Sequence, residues 1–187
     1  MINSKYLSGI HKEKGCIHCC CFSEDTIILV KEKNNIIKKP ISDIRKDDFI
    51  LTLINGQKKF TKVKATLFNK SDDGFLFYQF KCRKGDKVKS ITVTRNHIMM
   101  AYNKDKSDLK FKFAENIVKN VDYFYTLDGL YEIYEINTFN MKTKYDLKVD
   151  EKTIIADEIL VTCLDAISLS KQISLDDMIE NHKLIIL

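Results

Sequence analysis

The sequence predicts an all-β fold of antiparallel strands with a short C-terminal helix. Proline occurs once and glycine six times in 187 residues. The apolar runs are short, rich in isoleucine, valine, phenylalanine and tyrosine, and alternate with polar side chains, as in strands that bury one face. These runs follow one another closely, so most strands are expected to form hairpins with their neighbours in sequence.

Turn signals separate the candidate strands. The polar pair Asn34-Asn35 follows the first strand, and Asn55-Gly56 marks a hairpin after the third. A helical turn is expected in residues 112–120, and Ser174 followed by Asp177 resembles the start of a helix. The predicted strands cover residues 26–33, 36–44, 48–53, 58–68, 75–82, 87–94, 97–102, 122–127, 131–136, 145–149 and 158–163.

Length and charge favour one domain. A chain that is 44% hydrophobic can build a core, and its 31 Lys and Arg are interspersed with 26 Asp and Glu. The basic stretch 58–64 fits a solvated strand face better than a nucleic-acid surface. Residues 1–15 lack the apolar centre of a signal peptide, and no run approaches the roughly 20 apolar residues of a membrane span. We therefore expect a monomer that binds neither nucleic acid nor membrane, and the localisation stays open.

Four of the six cysteines lie in the segment CIHCCC, residues 16–21. Cys16, His18 and Cys19 could bind a metal, but zinc usually takes four ligands and the sequence shows no second ligand pair. Cys82 lies in an aromatic strand and is expected to be a core thiol. The last cysteine of the cluster directly precedes the first strong strand, which makes it the candidate for chemistry.

Four short motifs occur in order along the chain. The segment CFSEDT begins at Cys21, and ISDIRKDD covers residues 41–48. Thr94-x-x-His97 follows at a strand end. The last motif has two parts: Tyr145-Asp146-Leu147 is followed by a final strand that ends in Thr162-Cys163.

Together these motifs resemble the Hint superfamily, the self-processing fold shared by inteins, bacterial intein-like domains and the C-terminal domains of hedgehog proteins. The resemblance covers residues 21–163 and implies a horseshoe-like fold of antiparallel strands. It implies that residues 1–20 are the upstream substrate segment, while residues 164–187 form a helical tail. Two positions differ from the common pattern: Glu24 stands where the family often has glycine, and Asp47 stands where it has the glycine of a Gly-Asp pair.

The residue types suit a defined reaction. A thiol at Cys21 can attack the carbonyl of Cys20 and convert the peptide bond between them into a thioester. His97, with an ordinary pKa of about 6.5, can move a proton at neutral pH. Thr94 can offer its hydroxyl to the carbonyl or orient the imidazole. Taken alone, Thr-x-x-His on a strand is more often structural, so the catalytic interpretation depends on the whole set of motifs.

The resemblance also bears on what happens to the thioester. Splicing inteins end the last strand in His-Asn, whereas this chain has Thr162-Cys163, so ordinary asparagine-dependent splicing is not expected. Asn69 takes the place of the aspartate that activates a sterol in hedgehog proteins, and an amide cannot act as that base. The expected acceptor is water, a small thiol or an amine, and no cofactor or metal is required. Asp146 would support the later step, although a surface charge is the simpler interpretation.

In this fold the first residue and the last strand end lie close together. The resemblance therefore places Cys163 near Cys21, and a disulfide between them would block the nucleophile until it is reduced. Two functions are consistent with the sequence. One is a self-processing domain whose substrate is its own upstream polypeptide and whose acceptor is a small nucleophile. The other is a non-catalytic β module of the same fold that binds a protein partner or a metal.

Overall fold

The computed structural model describes residues 21–54, 56–105, 108–151 and 153–163. The predicted upstream segment, the candidate metal ligands Cys16, His18 and Cys19, and the predicted C-terminal helix lie outside these ranges. Within them the strands are β1 (Ile27–Glu32), β2 (Asn35–Pro40), β3 (Phe49–Ile54), β4 (Gln57–Lys84), β5 (Lys87–Thr94), β6 (Ile98–Asn103), β7 (Asp108–Phe113), β8 (Asp122–Thr126), β9 (Gly129–Val149), β10 (Thr153–Ala156) and β11 (Ile159–Thr162). Two short 3₁₀ helices, Ile41–Asp43 and Ala114–Asn116, join strands.

The strands form one antiparallel sheet that closes on itself. Its order is β11-β10-β1-β3-β4-β9-β8-β6-β7, with β2 added to β1 and β5 added to β4. Strand β11 also pairs with β8, where Ile159 lies opposite Thr126. Strand β1 meets β10 at Ile28 and Ala156, so the two ends of the described chain lie in the same part of the sheet. The predicted all-β class and antiparallel pairing are confirmed.

Two strands are longer than the sequence predicts. The prediction divided β4 into residues 58–68 and 75–82, and β9 into residues 131–136 and 145–149, but each is continuous. The polar segment of β9 stays extended because residues 137–141 and 143–144 pair with residues 75–79 and 69–70 of β4. The register of the ladder shifts between Lys70 and Phe75, which accommodates the unequal numbers of residues in the two strands. Gly74, in this stretch, adopts a left-handed φ of 76°.

Strands β7 and β10 were missing from the prediction. Strand β7 pairs with β6, and β10 has only four residues, TIIA, all buried. A four-residue apolar run gives too little periodicity to identify a strand. Strands β3 and β4 pair from Ile54 opposite Gln57 onward, on either side of the predicted Asn55-Gly56 turn, of which Asn55 lies outside the described residues.

The core consists of two clusters of buried side chains. The larger includes Phe22, Phe80 and Phe124, with the last two rings packed edge to face at 5.4 Å between centroids. Cys82 belongs to this cluster and is fully buried, as the sequence predicts, and burial raises its pKa to about 12. In the described ranges no helix combines the length and the apolar character that a membrane crossing requires.

Candidate active site

The segment that begins at Cys21 is inserted between two strands. The Phe22 N–H donates to the carbonyl of Tyr145 at 2.7 Å, and the Tyr145 N–H donates to the carbonyl of Phe22 at 3.0 Å. On the other side Phe22 forms a bridge with Val93. These pairings hold Cys21 in the interior, where its side chain has no exposed surface.

Thr94 contacts the backbone of Cys21 on both sides of the residue. The Thr94 N–H donates to the Cys21 carbonyl at 2.9 Å, and the Cys21 N–H donates to the Thr94 hydroxyl oxygen at 3.1 Å. The hydroxyl in turn donates to the Cys21 carbonyl at 3.4 Å. The amide nitrogen of Cys21 belongs to the bond that the sequence marks for cleavage, so this hydroxyl lies on the predicted leaving group.

His97 is fully buried beside this backbone. The backbone N–H of His97 donates to the Thr94 carbonyl at 2.9 Å, and the imidazole ring packs edge to face on Phe22 with 4.6 Å between centroids. Among the described residues, neither ring nitrogen has a hydrogen-bond partner. Burial lowers the pKa of His97 from 6.5 to about 3. The nearby backbones of Thr162 and Cys21 oppose this shift without reaching hydrogen-bond geometry, and the imidazole is neutral at physiological pH.

The end of the last strand lies at the same place. The Thr162 hydroxyl donates to the carbonyl of Ile98, the residue that follows His97. Cys163 comes next; it is partly buried and packs against the larger core cluster. The structure therefore brings Cys21, Thr94, His97 and the backbone of Thr162 together. Cys20 lies outside the described ranges, and the disulfide between Cys21 and Cys163 stays a prediction.

The comparisons with known proteins concern the fold. No family model matches the sequence, and no curated protein matches it significantly. Among solved structures, the gp41-1 intein is 17% identical with a TM-score of 0.58, covering 76% of this chain and 98% of that one. A DnaB intein from Synechocystis sp. PCC 6803 is 19% identical with a TM-score of 0.61, covering 78% and 99%. A bacterial intein-like domain from Clostridium thermocellum is 18% identical with a TM-score of 0.59, covering 76% and 97%.

This chain has the Hint fold. The predicted horseshoe-like arrangement of antiparallel strands is thereby confirmed for the described residues. At identities below one fifth the comparison assigns the fold, while the roles of individual side chains rest on the geometry of this chain.

Asp146 lies on β9, next to Tyr145, which pairs with Phe22. It is 7% exposed, and its Oδ1 accepts a hydrogen bond from the Leu147 N–H at 2.8 Å. Its burial argues against the simple surface charge that the sequence allows. Its part in a reaction stays a prediction.

Sequence reasoning missed Lys144, a second buried charged residue on the same strand. It is 3% exposed, and its Nζ lies 4.1 Å from the centroid of the Phe75 ring. Because side chains alternate along a strand, Lys144 lies on the same face as Asp146. This two-residue spacing is the sequence signal that could have identified Lys144 as a site residue. Asn69 lies directly opposite Lys144 in the β4–β9 ladder.

Proposed function

We propose that this chain is a self-processing domain in which Cys21 forms a thioester with the residue before it and passes the upstream segment to a small nucleophile. The observation that supports this best is the contact between the Thr94 hydroxyl and the amide of Cys21, 3.1 Å long, beside a buried histidine. Cys21 supplies both the proposed nucleophile, its thiol, and the proposed leaving group, its amide nitrogen. Contacts with β5 and β9 hold this residue in place.

The first step exchanges an amide for a thioester. The Cys21 sulfur forms a bond to the carbonyl carbon of Cys20, and the bond from that carbon to the Cys21 nitrogen breaks. The imidazole of His97 is neutral, since burial lowers its pKa to about 3, and the ring accepts the thiol proton transiently as a weak base. It then gives the same proton to the departing Cys21 nitrogen, so the step needs no net proton uptake.

Thr94 assists the departure of the nitrogen. In the resting state its hydroxyl accepts from the Cys21 N–H at 3.1 Å. When the amide loses its planarity, the nitrogen gains a lone pair, and the hydroxyl can rotate to donate to it. Because the site is buried, this hydrogen bond is stronger than it would be in water.

The second step transfers the acyl group away from Cys21. The strand end Thr162-Cys163 carries no asparagine that could cyclise, so the proposed acceptor is water, a thiol or an amine. Asp146 is proposed to support this step from its position on β9, where it is nearly buried. The products are the upstream segment, joined to the acceptor, and a domain that begins with Cys21.

The test is an intact-mass measurement on the purified full chain with and without dithiothreitol or hydroxylamine. Loss of residues 1–20 is expected with either nucleophile and is expected to be absent in Cys21→Ala. Cys82→Ala is the matched control, because it removes another buried thiol and should still be cleaved. An unchanged mass under all conditions, or equal cleavage of Cys21→Ala, would refute the proposal and leave the non-catalytic β module.

Redox control is proposed as a separate property of the same site. Under oxidising conditions a disulfide between Cys21 and Cys163 would remove the nucleophile, and reduction would restore it. Peptide mapping of the oxidised chain without reductant should find the two residues linked. Cys163→Ser should remain reactive toward hydroxylamine after oxidation. If oxidised wild type and Cys163→Ser react at the same rate, the disulfide plays no part.

A further inference from the structure

A small pocket opens next to the proposed active site. It holds about 50 Å³, room for a few water molecules or one small functional group. Thr94, whose hydroxyl contacts the Cys21 amide, forms part of its wall. The lining residues are Phe75, Leu76, Thr94, Arg95, Asn96 and Lys144. A molecule in this pocket would therefore contact Thr94, which in turn contacts Cys21.

Two cationic side chains, Lys144 and Arg95, line the pocket. Lys144 is 3% exposed, and its ammonium lies over the Phe75 ring at 4.1 Å from the centroid. Within the described ranges no carboxylate lies at ion-pair distance from its Nζ or from the guanidinium of the exposed Arg95. With two cationic side chains in its wall and no described carboxylate to neutralise them, an anionic group in the pocket would be stabilised electrostatically. The site is thus built to accept a negative group.

We propose that this pocket binds the anionic group of the acceptor, and that the acceptor is a small thiol that also carries a sulfonate or carboxylate. This inference rests on the proposed thioester at Cys21. With its anionic group near Lys144, the thiolate attacks the Cys20 carbonyl carbon and the bond from that carbon to the Cys21 sulfur breaks. Cys21 leaves as a thiolate and takes up the proton that the entering thiol had lost. The exchange is redox-neutral.

The charge and size of the pocket argue against other acceptors. A protonated amine would be repelled by Lys144 and Arg95. A volume of about 50 Å³ is too small for a folded partner or a sterol. Water carries no charge that could pair with Lys144 or Arg95.

The test compares three thiols of the same length and different charge. Full-length protein is incubated at low ionic strength with 2-mercaptoethanesulfonate, 2-mercaptoethanol or cysteamine at equal thiolate concentrations, and cleavage is followed by mass. We expect the anionic thiol to react at least about fivefold faster than the neutral one, the cationic thiol to be slowest, and the preference to fall with added salt. Equal thiolate concentrations are needed because the thiols differ in pKa.

Lys144→Met should reduce the preference for the anionic thiol to near unity. Lys142→Met is the matched control, since Lys142 is an exposed residue of the same strand and its loss changes the net charge equally. The control should keep the full preference. Equal rates for all three thiols in wild type would overturn the acceptor pocket and leave the proposed self-processing intact. No cleavage with any thiol would overturn both.

If Lys144→Met perturbs folding, a binding measurement on a chain that retains Lys144 tests the anion site instead. In the Cys21→Ala chain, titration with ethanesulfonate is followed by the backbone amide resonances. Shifts are expected at Arg95 and Asn96 in the pocket wall and are expected to be unchanged by Lys142→Met. If ethanesulfonate shifts no amide of the pocket, the anion site is refuted whatever the cleavage rates are.

Discussion

At the residue scale, the proposed chemistry depends on the protonation state of His97. A histidine with its ordinary pKa would be partly charged at neutral pH, but complete burial lowers the pKa of this one to about 3. A charged imidazole could only donate a proton. In the proposed first step the neutral ring is a weak base toward the Cys21 thiol, and the imidazolium that it forms is a strong acid that readily returns the proton to the nitrogen.

The same burial predicts a pH-dependent stability. Because the folded-state pKa of His97 lies below 6.5, its contribution is complete above pH 6.5 and is lost as the pH falls toward 3. The loss is about 1.4 kcal/mol per pH unit. Asp157 has the opposite effect, since burial raises the pKa of its carboxyl to about 6. Its contribution to stability is lost as the pH rises from 3.8 to 6.

The contribution of His97 is isolated by comparing wild type with His97→Leu in urea unfolding across this pH range. The stability of wild type relative to the variant should fall steadily below pH 6.5. A constant difference between the two proteins would show that His97 titrates normally in the folded state.

Thr94 gives a second prediction at this scale. Thr94→Val removes the acceptor of the Cys21 N–H and should slow thiol-induced cleavage roughly 100-fold, by analogy with the loss of one positioned hydrogen-bonding group in other active sites. Thr94→Ser keeps the hydroxyl and should retain most of the rate. Circular dichroism confirms that both variants fold. An unimpaired Thr94→Val would show that the hydroxyl takes no part in cleavage.

At the scale of elements, the turn between β10 and β11 connects the end of the chain to its beginning. Asp157 and Glu158 both adopt left-handed φ angles, 49° and 64°. The Ile27 N–H donates to the Asp157 Oδ1 at 2.9 Å, while the Asp157 N–H donates to the Ile27 carbonyl at 2.8 Å. The turn thus positions β1, and with it the segment that carries Cys21.

This turn predicts a graded response to substitution. Asp157→Ala leaves the Ile27 N–H without its acceptor and should lower the free energy of unfolding by about 1–3 kcal/mol. Asp157→Asn keeps an acceptor oxygen and tolerates the left-handed φ, so it should cost less. Urea unfolding at neutral pH measures both. Equal losses would show that the side-chain hydrogen bond contributes nothing.

At the scale of the whole molecule, the site depends on closure of the sheet. Cys21 is held by β5 and β9, and His97 lies next to the backbone of Thr162 at the end of β11. These contacts are far apart in sequence, so none of them forms before the chain has folded around the core. The site and the fold should therefore form together.

Cleavage and global structure should then be lost together in urea. We expect the dithiothreitol cleavage rate and the near-ultraviolet circular dichroism of the buried Tyr125 and Tyr131 to share one midpoint. Loss of cleavage at a lower urea concentration, with the tyrosine signal intact, would mean that the Cys21 segment opens locally.

Several features could be predicted from local sequence. Alternating apolar residues identified most strands, and the order of the motifs identified Cys21, Thr94 and His97 as candidates. The long continuous strands could not be predicted, because polar residues stay extended there only through pairing with each other. The burial of Lys144 and its contact with the Phe75 ring could not be predicted, because both arise only when β4 and β9 pair.

The sequence by itself determined the all-β class, the residue types available for acyl transfer and the lack of an asparagine at the end of the last strand. Only the tertiary structure decided that the Thr94 hydroxyl meets the Cys21 amide, that His97 is neutral and that Lys144 lines a pocket beside them. The physical reason is that side-chain chemistry belongs to each residue, whereas desolvation and long-range pairing arise only when distant strands pack together.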